Sequence, residues 1–166
     1  RWRGEQRMAY VGDVGAGFGG LFNAAEVSNL APVANGAGGA PDADSKTPEE
    51  ILGDVNEVIQ SAWEQSAYTS APETLLISPR LFTSLNRRLM PGPVAMSVLT
   101  YLKDNTLLNR LTGKPLDIQP VKWAAGIGAG GSDRMTAYTN DMDKVRMIGT
   151  VPQPLGQLEI KDASFH

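Results

Sequence analysis

Residues 47–66 read TPEEILGDVNEVIQSAWEQS and have the pattern of one amphipathic helix. Thr47 fits the N-cap, Pro48 fits the first helical position, and Glu50 fits the N3 position of a capping box. We therefore predict a helix from about Pro48 to Ser66. The apolar residues that follow the helical period and should form its buried face are Ile51, Leu52, Val55, Val58, Ile59, Ala62 and Trp63.

A buried strand and two more helices are predicted after this helix. Residues 74–78 (TLLIS) form the short continuous apolar run that is typical of a buried strand. Ser78-Pro79 begins a second helix, and residues 94–103 form a third after the break at Pro91-Gly92-Pro93. The residues expected to face the core are Leu81, Phe82 and Leu85 in the second helix and Val94, Val98, Leu99 and Leu102 in the third.

Four strands are predicted in the C-terminal half of the chain. Residues 116–123 alternate apolar with polar, and Pro120 indicates that this strand lies at an edge or a bulge. Residues 134–139 and 144–148 flank a polar turn as a hairpin, and residues 157–160 form the last candidate strand. Because helices are gathered first and an antiparallel sheet comes later, the order predicts an α+β fold.

The N-terminal third has fewer structural signals. Residues 1–11 resemble the end of a helix, Gly12–Gly20 is predicted to be a loop, and Leu21–Val33 to contain a turn or short strand. Ala34–Ser45 has a low-complexity sequence, which predicts a mobile segment that packs no core. The chain begins at Arg1, from which we expect a piece of a longer product.

Composition excludes several classes of function. The 166 residues suit one domain, and 18 glycines with 11 prolines predict many turns. The net charge of −3 and the small basic spots at residues 1–3 and Arg87-Arg88 argue against a DNA-reading domain. The chain has no cysteine, so it has no disulfide framework or thiolate chemistry. No apolar run reaches the length of a membrane span.

Two glycine clusters match the spelling of a dinucleotide-binding loop. They are Gly15, Gly17 and Gly20 in one case, and Gly126, Gly128 and Gly131 in the other. Such a loop needs a strand before it and a helix after it, because the helix N-terminus binds the pyrophosphate. Neither context is predicted here. A nucleotide- or ligand-binding enzyme domain that uses Gly15–Gly20 is therefore the alternative interpretation.

Other residues of chemical interest have simpler interpretations. Asn140, Asp141 and Asp143 lack the spaced oxygens of a calcium loop and suit a hairpin turn. Glu49 and Glu50 suit the helix start, Ser78-Pro79-Arg80 is a helix start without G-x-S-x-G, and His166 is the only histidine. Met96, Trp63 and Phe82 are expected to be core residues. We predict no catalytic, cofactor-binding or metal-binding residue and no enzymatic activity.

Several segments taken in order resemble a known family. They are residues 47–52 (TPEEIL), 74–79 (TLLISP), 97–105 (SVLTYLKDN) and 133–141 (DRMTAYTND), together with Gly20-Leu21-Phe22-Asn23. This succession is similar to the major capsid proteins of tailed bacteriophages and prophages, which have the Hong Kong 97-type shell fold shared with encapsulins.

The resemblance implies a domain organisation. Residues 1–46 would be the end of a long spine helix with glycine-rich connecting loops. Residues 47–147 would be the axial domain, and residues 148–166 the return strand into the peripheral domain. The family's N-terminal arm and extended loop have no counterpart in the sequence, so no cross-linking residue can be assigned.

The resemblance also implies a function. The chain would assemble with copies of itself into pentamers and hexamers of an icosahedral shell, formed in the host cytoplasm and found in the virion. Packaged DNA would lie near it without specific contact, and no membrane would be involved. The loops at Arg87–Pro93 and Ala124–Ser132 are expected to lie at the capsomer centre.

Overall fold

The computed structural model describes residues 9–13, 15, 17–25, 27, 29–31, 33–93, 95–141 and 143. Residues 9–11 are helical. The α-helices after them are α1 (Pro48–Gln65), α2 (Pro79–Arg87), α3 (Val98–Asn105) and α4 (Leu107–Thr112). The strands are β1 (Gly12–Asp13), β2 (Phe18–Gly19), β3 (Thr74–Ile77), β4 (Asp117–Pro120) and β5 (Thr136–Tyr138). Short 3-10 helices cover Ala43–Ser45, Lys122–Ala124 and Ala129–Gly131.

The main sheet has the strand order β4-β3-β5. β5 pairs with β3 antiparallel, but β4 pairs with β3 parallel, with Ile77 opposite Pro120. The prediction that the sheet is antiparallel is therefore wrong for β4. Parallel neighbours need a long crossover connection, and α2, α3 and α4 provide it between β3 and β4. The predicted edge position of the strand that contains Pro120 is confirmed.

The sheet separates two apolar clusters. Leu75 and Ile77 of β3 point to the side that the helices cover, and Leu76 between them points to the other side. The cluster on the helical side contains Ile51, Val55, Ile59, Leu75, Ile77, Leu85, Val98, Leu99, Leu102, Leu108, Leu116 and Ile118. The second cluster is built on Phe22, Leu76 and Ala124. A four-residue strand that is buried on both faces explains why its sequence is continuously apolar.

The starts of α1 and α2 confirm the predicted caps. The Thr47 side chain accepts a hydrogen bond from the Glu50 N–H, and the Glu50 carboxylate accepts one from the Thr47 N–H, which completes the capping box. The Ser78 hydroxyl accepts a hydrogen bond from the Leu81 N–H at the start of α2. Phe82 packs against the core as predicted, whereas Trp63 lies half-buried at the end of α1, edge-on to Tyr68.

The third helix begins later than predicted. Residues 94–103 were expected to be helical, but α3 starts at Val98 with Ser97 as its N-cap. Backbone hydrogen bonds from Met90 N to Met96 O and from Val98 N to Arg88 O instead join residues 88–90 to residues 96–98. Val94, which was expected to face the core, lies outside the described residues. α4 was not predicted. It ends at Gly113, whose left-handed backbone favours glycine and stops the helix.

Two predictions for the N-terminal region are wrong. Gly12–Gly20, expected to be a loop, contains the antiparallel pair β1–β2. Ala34–Ser45, expected to pack no core, is attached to the helical layer. Ala43 packs against the core, the Ala37 N–H donates to Glu50, and the Ser84 hydroxyl donates to Asp44.

The predicted hairpin is described only in part. β5 covers the middle of residues 134–139 and pairs with β3. The Asp143 N–H donates to the Asp141 carboxylate at 3.0 Å, as expected for a polar turn. The partner strand at 144–148, the strand at 157–160 and His166 lie outside the described residues.

Candidate functional site

The connection between α2 and α3 is a short hairpin, which we call the tip loop (residues 88–98). Leu89 and Ser97 form an antiparallel bridge, and Met90 N donates to Met96 O at 2.8 Å. The guanidinium of Arg88 donates to the carbonyl of Ala43 at 3.0 Å, which fixes the base of the loop to the helical layer. The tip loop is therefore a backbone-bonded projection rather than an unstructured connection.

Apolar side chains occupy the surface of the tip loop. Leu89 is 62% exposed, the highest value among the exposed large apolar side chains of the described residues. Met90, Met96 and Tyr101 line a small cavity of about 290 Å³ beside it. The sequence did not reveal this arrangement, because Met90 and Met96 are equally compatible with a core. Exposed apolar groups of this kind mark contact surfaces when they are clustered.

The second predicted contact loop, Ala124–Ser132, is closed by its own hydrogen bonds. Gly128 N donates to Ser132 O at 2.7 Å, and Gly126 N donates to the Asp133 carboxylate at 3.2 Å. The Ser78 hydroxyl donates to the other oxygen of Asp133. This loop is therefore tied to the N-terminal end of α2.

The two predicted contact loops lie at opposite ends of one helix. The Ala124–Ser132 loop is attached through Asp133 to Ser78, the N-cap of α2, and the tip loop leaves the C-terminal end of α2. The nine residues of α2 span about 13 Å at 1.5 Å per residue. The structure therefore attaches the two loops to opposite ends of α2.

Neither glycine cluster has the geometry of a phosphate-binding loop. Gly20 is followed by a turn in which its N–H donates to the Asn23 side chain at 2.7 Å. A Cβ on Gly20 would lie 2.5 Å from backbone atoms of Tyr10 and Gly12, so close packing accounts for this glycine. Gly131 is followed by β5 rather than by a helix. Among the described residues, no α-helix N-terminus therefore follows either cluster in the position that binds a phosphate.

A groove of about 1270 Å³ runs between α1, residues 27–44 and the segment that contains β5. Its apolar lining includes Val33, Val58, Ala62 and Met135. Lys46, only 3% exposed, forms an ion pair with Asp54 at 2.5 Å, and Asp54 lines the groove. This groove can bury apolar groups, but it contains no arrangement of acid, base and nucleophile.

Ionisable groups in the described part of the chain bear on whether it could bind a metal or catalyse a reaction. No group of three or more His, Cys, Asp or Glu side chains there could hold a metal ion. Backbone hydrogen bonding from Thr47 lowers the pKa of Glu50, as expected for a cap rather than for a general acid. Burial raises the pKa of the Tyr138 phenol above its ordinary value of 10.0. Among the described helices, none has the length and apolarity that crossing a membrane requires.

Comparison with protein families gives a match over almost the whole sequence. The model of a family described as "Major capsid protein" matches residues 3–165. The match includes α1 to α4, β1 to β5 and both predicted contact loops. Among curated proteins, no relative matches the sequence.

Proposed function

Because this chain belongs to the phage major capsid protein family, we propose that it is the subunit that assembles into an icosahedral shell around DNA. The family match over residues 3–165 is the observation that carries the proposal. The family indicates a structural rather than an enzymatic protein, located in the virion capsid. The described residues are compatible with this role, because Glu50 serves a helix cap and Asp141 serves a turn.

The proposal includes the Hong Kong 97-like fold and its domains. Residues 47–147 would be the axial domain, residues 1–46 the end of the spine helix with its connections, and residues 148–166 the return into the peripheral domain. Helical residues 9–11 and the α+β layer from α1 to β5 support this division. The second apolar cluster, which joins Phe22 to Leu76, supports a firm junction between the first two parts.

The proposed partners are copies of the same chain in pentamers and hexamers. The tip loop supports this proposal because it presents an exposed Leu89 on a backbone that is already ordered. An ordered loop loses little conformational entropy when it binds. We propose that the Arg87–Pro93 part of the tip loop and the Ala124–Ser132 loop, which are attached to opposite ends of α2, both lie at the capsomer centre.

Contact with packaged DNA is proposed to be non-specific. The chain carries a net charge of −3, and a protein that neutralises phosphates clusters its cations on one face. A mildly acidic wall would let DNA slide past it. We place assembly in the host cytoplasm and the finished subunit in the virion.

Electron microscopy of the complete natural chain tests the proposal. The protein would be purified at a series of concentrations and imaged by negative stain, with its mass measured by light scattering. Closed shells, or rings of five or six subunits, are the expected result. A protein that stays monomeric at every concentration would contradict the assembly function.

A further inference from the structure

We propose that the tip loop forms a head-to-tail contact between copies of this chain, in which Leu89 of one copy seats in the Met90–Met96–Tyr101 pocket of the next. The inference rests on the proposed function and specifies its partner and its contact. It assigns two different surfaces to one short hairpin.

The backbone pairing of the tip loop separates these two surfaces. Leu89 and Ser97 are directly opposite each other in an antiparallel bridge, so their side chains share one face of the hairpin. Met90 and Met96 are the next residues on the two strands, and side chains alternate between faces along extended backbone. The exposed Leu89 therefore projects from one face, while the pocket opens on the other.

The pocket suits a branched apolar side chain. Its volume is about 290 Å³. Methionine side chains are unbranched and adaptable, so Met90 and Met96 can close around an inserted group. The lining that the proposal uses consists of Met90, Pro91, Pro93, Met96, Tyr101 and Asn105.

Opposite charges lie close in sequence to the two surfaces. Arg87 is exposed two residues before Leu89, and Asp104 is exposed one residue before Asn105 of the pocket. Neither side chain forms an ion pair within the described part of the chain, where the pairs are Lys46–Asp54 and Lys114–Glu73. A second copy that inserts Leu89 would bring a cation toward this anion, which favours the correct orientation.

A contact of this kind closes into a ring. Two different surfaces on one chain give a heterologous interface, and repetition of that interface around an axis produces a cyclic assembly when the rotation closes. Each subunit in the ring then makes the contact twice. A small apolar contact becomes stable in this way, because closing the ring makes the last contact intramolecular.

Cysteine pairing tests the geometry, since the 166 residues of this sequence contain no cysteine that could interfere. Leu89→Cys and Met96→Cys would be prepared separately, co-assembled in equal amounts and treated with a short bis-maleimide. A cross-linked dimer should form in the mixture and in neither variant alone. The double variant should give a ladder that ends at five or six subunits.

Each outcome of this experiment separates the contact from the wider function. Cross-linking of Leu89→Cys to itself at least as efficiently as to Met96→Cys would place position 89 beside its own copy and not in the pocket, and would overturn the proposal. Assembled particles without a mixed dimer would also overturn it, while leaving the shell function intact. Absence of particles from the unsubstituted protein would instead contradict the shell function. Leu111→Cys, another exposed leucine, serves as the control for random encounter.

A charge exchange gives a second, independent readout in case cysteine at position 89 prevents assembly. Arg87→Glu or Asp104→Arg alone should raise the concentration at half-assembly by about tenfold, and the double exchange should restore it. Failure of the double exchange to recover, with both single variants folded by circular dichroism, would contradict the proposed contact.

Discussion

At the scale of single residues, the buried polar groups differ in how well they are satisfied. Lys46 is paired with Asp54, and Ser78 both donates and accepts hydrogen bonds. Thr106 is fully buried, and its hydroxyl has no partner among the described residues. A buried hydroxyl without a partner loses its hydration and gains nothing in return.

We expect Thr106→Val to stabilise the protein by about 1 kcal/mol, because valine keeps the shape and removes the unpaired hydroxyl. Urea denaturation followed by circular dichroism would measure the change. Thr100→Val is the matched control, since the Thr100 hydroxyl lies 3.0 Å from the Ser97 hydroxyl and is hydrogen-bonded. A destabilised Thr106→Val variant would show that the hydroxyl has a partner.

Glu50 gives a prediction for the pH dependence of stability. Its pKa is lowered from the ordinary value of 4.5, first by the hydrogen bond from the Thr47 backbone and also by that from Ala37, against the opposing effect of burial. A lowered pKa means that the folded state prefers the carboxylate. Its stabilisation is therefore complete above pH 4.5 and is lost as the pH falls through the folded-state pKa.

We expect Glu50→Gln to be less stable than the natural chain at neutral pH, with a difference that disappears in acid. Thermal melting from neutral pH down to about pH 3 would follow it. Glu49→Gln is the control, because Glu49 shares the first turn of α1 but is not part of the capping box. An equal pH dependence for both variants would assign the effect to the helix dipole instead.

At the scale of elements, Asp133 connects parts of the chain that are far apart in sequence. It accepts hydrogen bonds from Ser78 at the start of α2 and from the backbone of Gly126. The next residue, Arg134, donates to the carbonyl of Phe22 in the N-terminal turn. Three segments thus meet just before β5, although the sequence of each segment gives no sign of its contact with the others.

Ser78→Ala is expected to lower the free energy of unfolding by more than the loss of an ordinary helix cap does, which is about 1 kcal/mol. The substitution removes the cap of α2 and also the donor to Asp133. Ser97→Ala removes the comparable cap of α3, without a link to a distant segment, and is the matched variant. Chemical denaturation of both would compare them, and equal losses would mean that the bond to Asp133 contributes no stability.

At the scale of the whole molecule, stability and assembly involve different residues. The core lies between the sheet and the helices, whereas Leu89 contacts solvent at the end of the tip loop. Exposed side chains away from the core change the free energy of unfolding by about 0.5 kcal/mol or less. An assembly contact can therefore be removed without unfolding the subunit.

We expect Leu89→Ser to reduce assembly strongly while leaving the melting temperature of the isolated subunit nearly unchanged. Light scattering would follow assembly, and calorimetry would follow unfolding. Leu111→Ser removes an equivalent exposed leucine from α4 and should assemble normally. If both variants lose assembly to the same extent, the effect is a general loss of apolar surface rather than a contact at the tip loop.

Local patterns in the sequence were enough to predict four features of the fold. They are the helix that begins at Pro48, its capping box, the buried strand β3 and the start of α2. These depend on local periodicity and on side chains that cap adjacent backbone groups, so neighbouring residues carry the information. The family could also be predicted from the sequence, because the resemblance depends on the order of several such segments. The strand-like run after Gly131 was also predictable, since alternation over a few residues is a local property.

Three features became visible only in the three-dimensional structure. They are the parallel pairing of β4, the late start of α3 and the attachment of residues 34–45 to the helical layer. Strand pairing depends on how the helices between β3 and β4 cross the sheet, and this crossing is not encoded within either strand. The arrangement of the tip loop also depends on pairing between two backbone segments, which neither segment encodes by itself. Met90 and Met96 have the composition of core residues, and only backbone pairing across the loop puts Leu89 on one face and their pocket on the other.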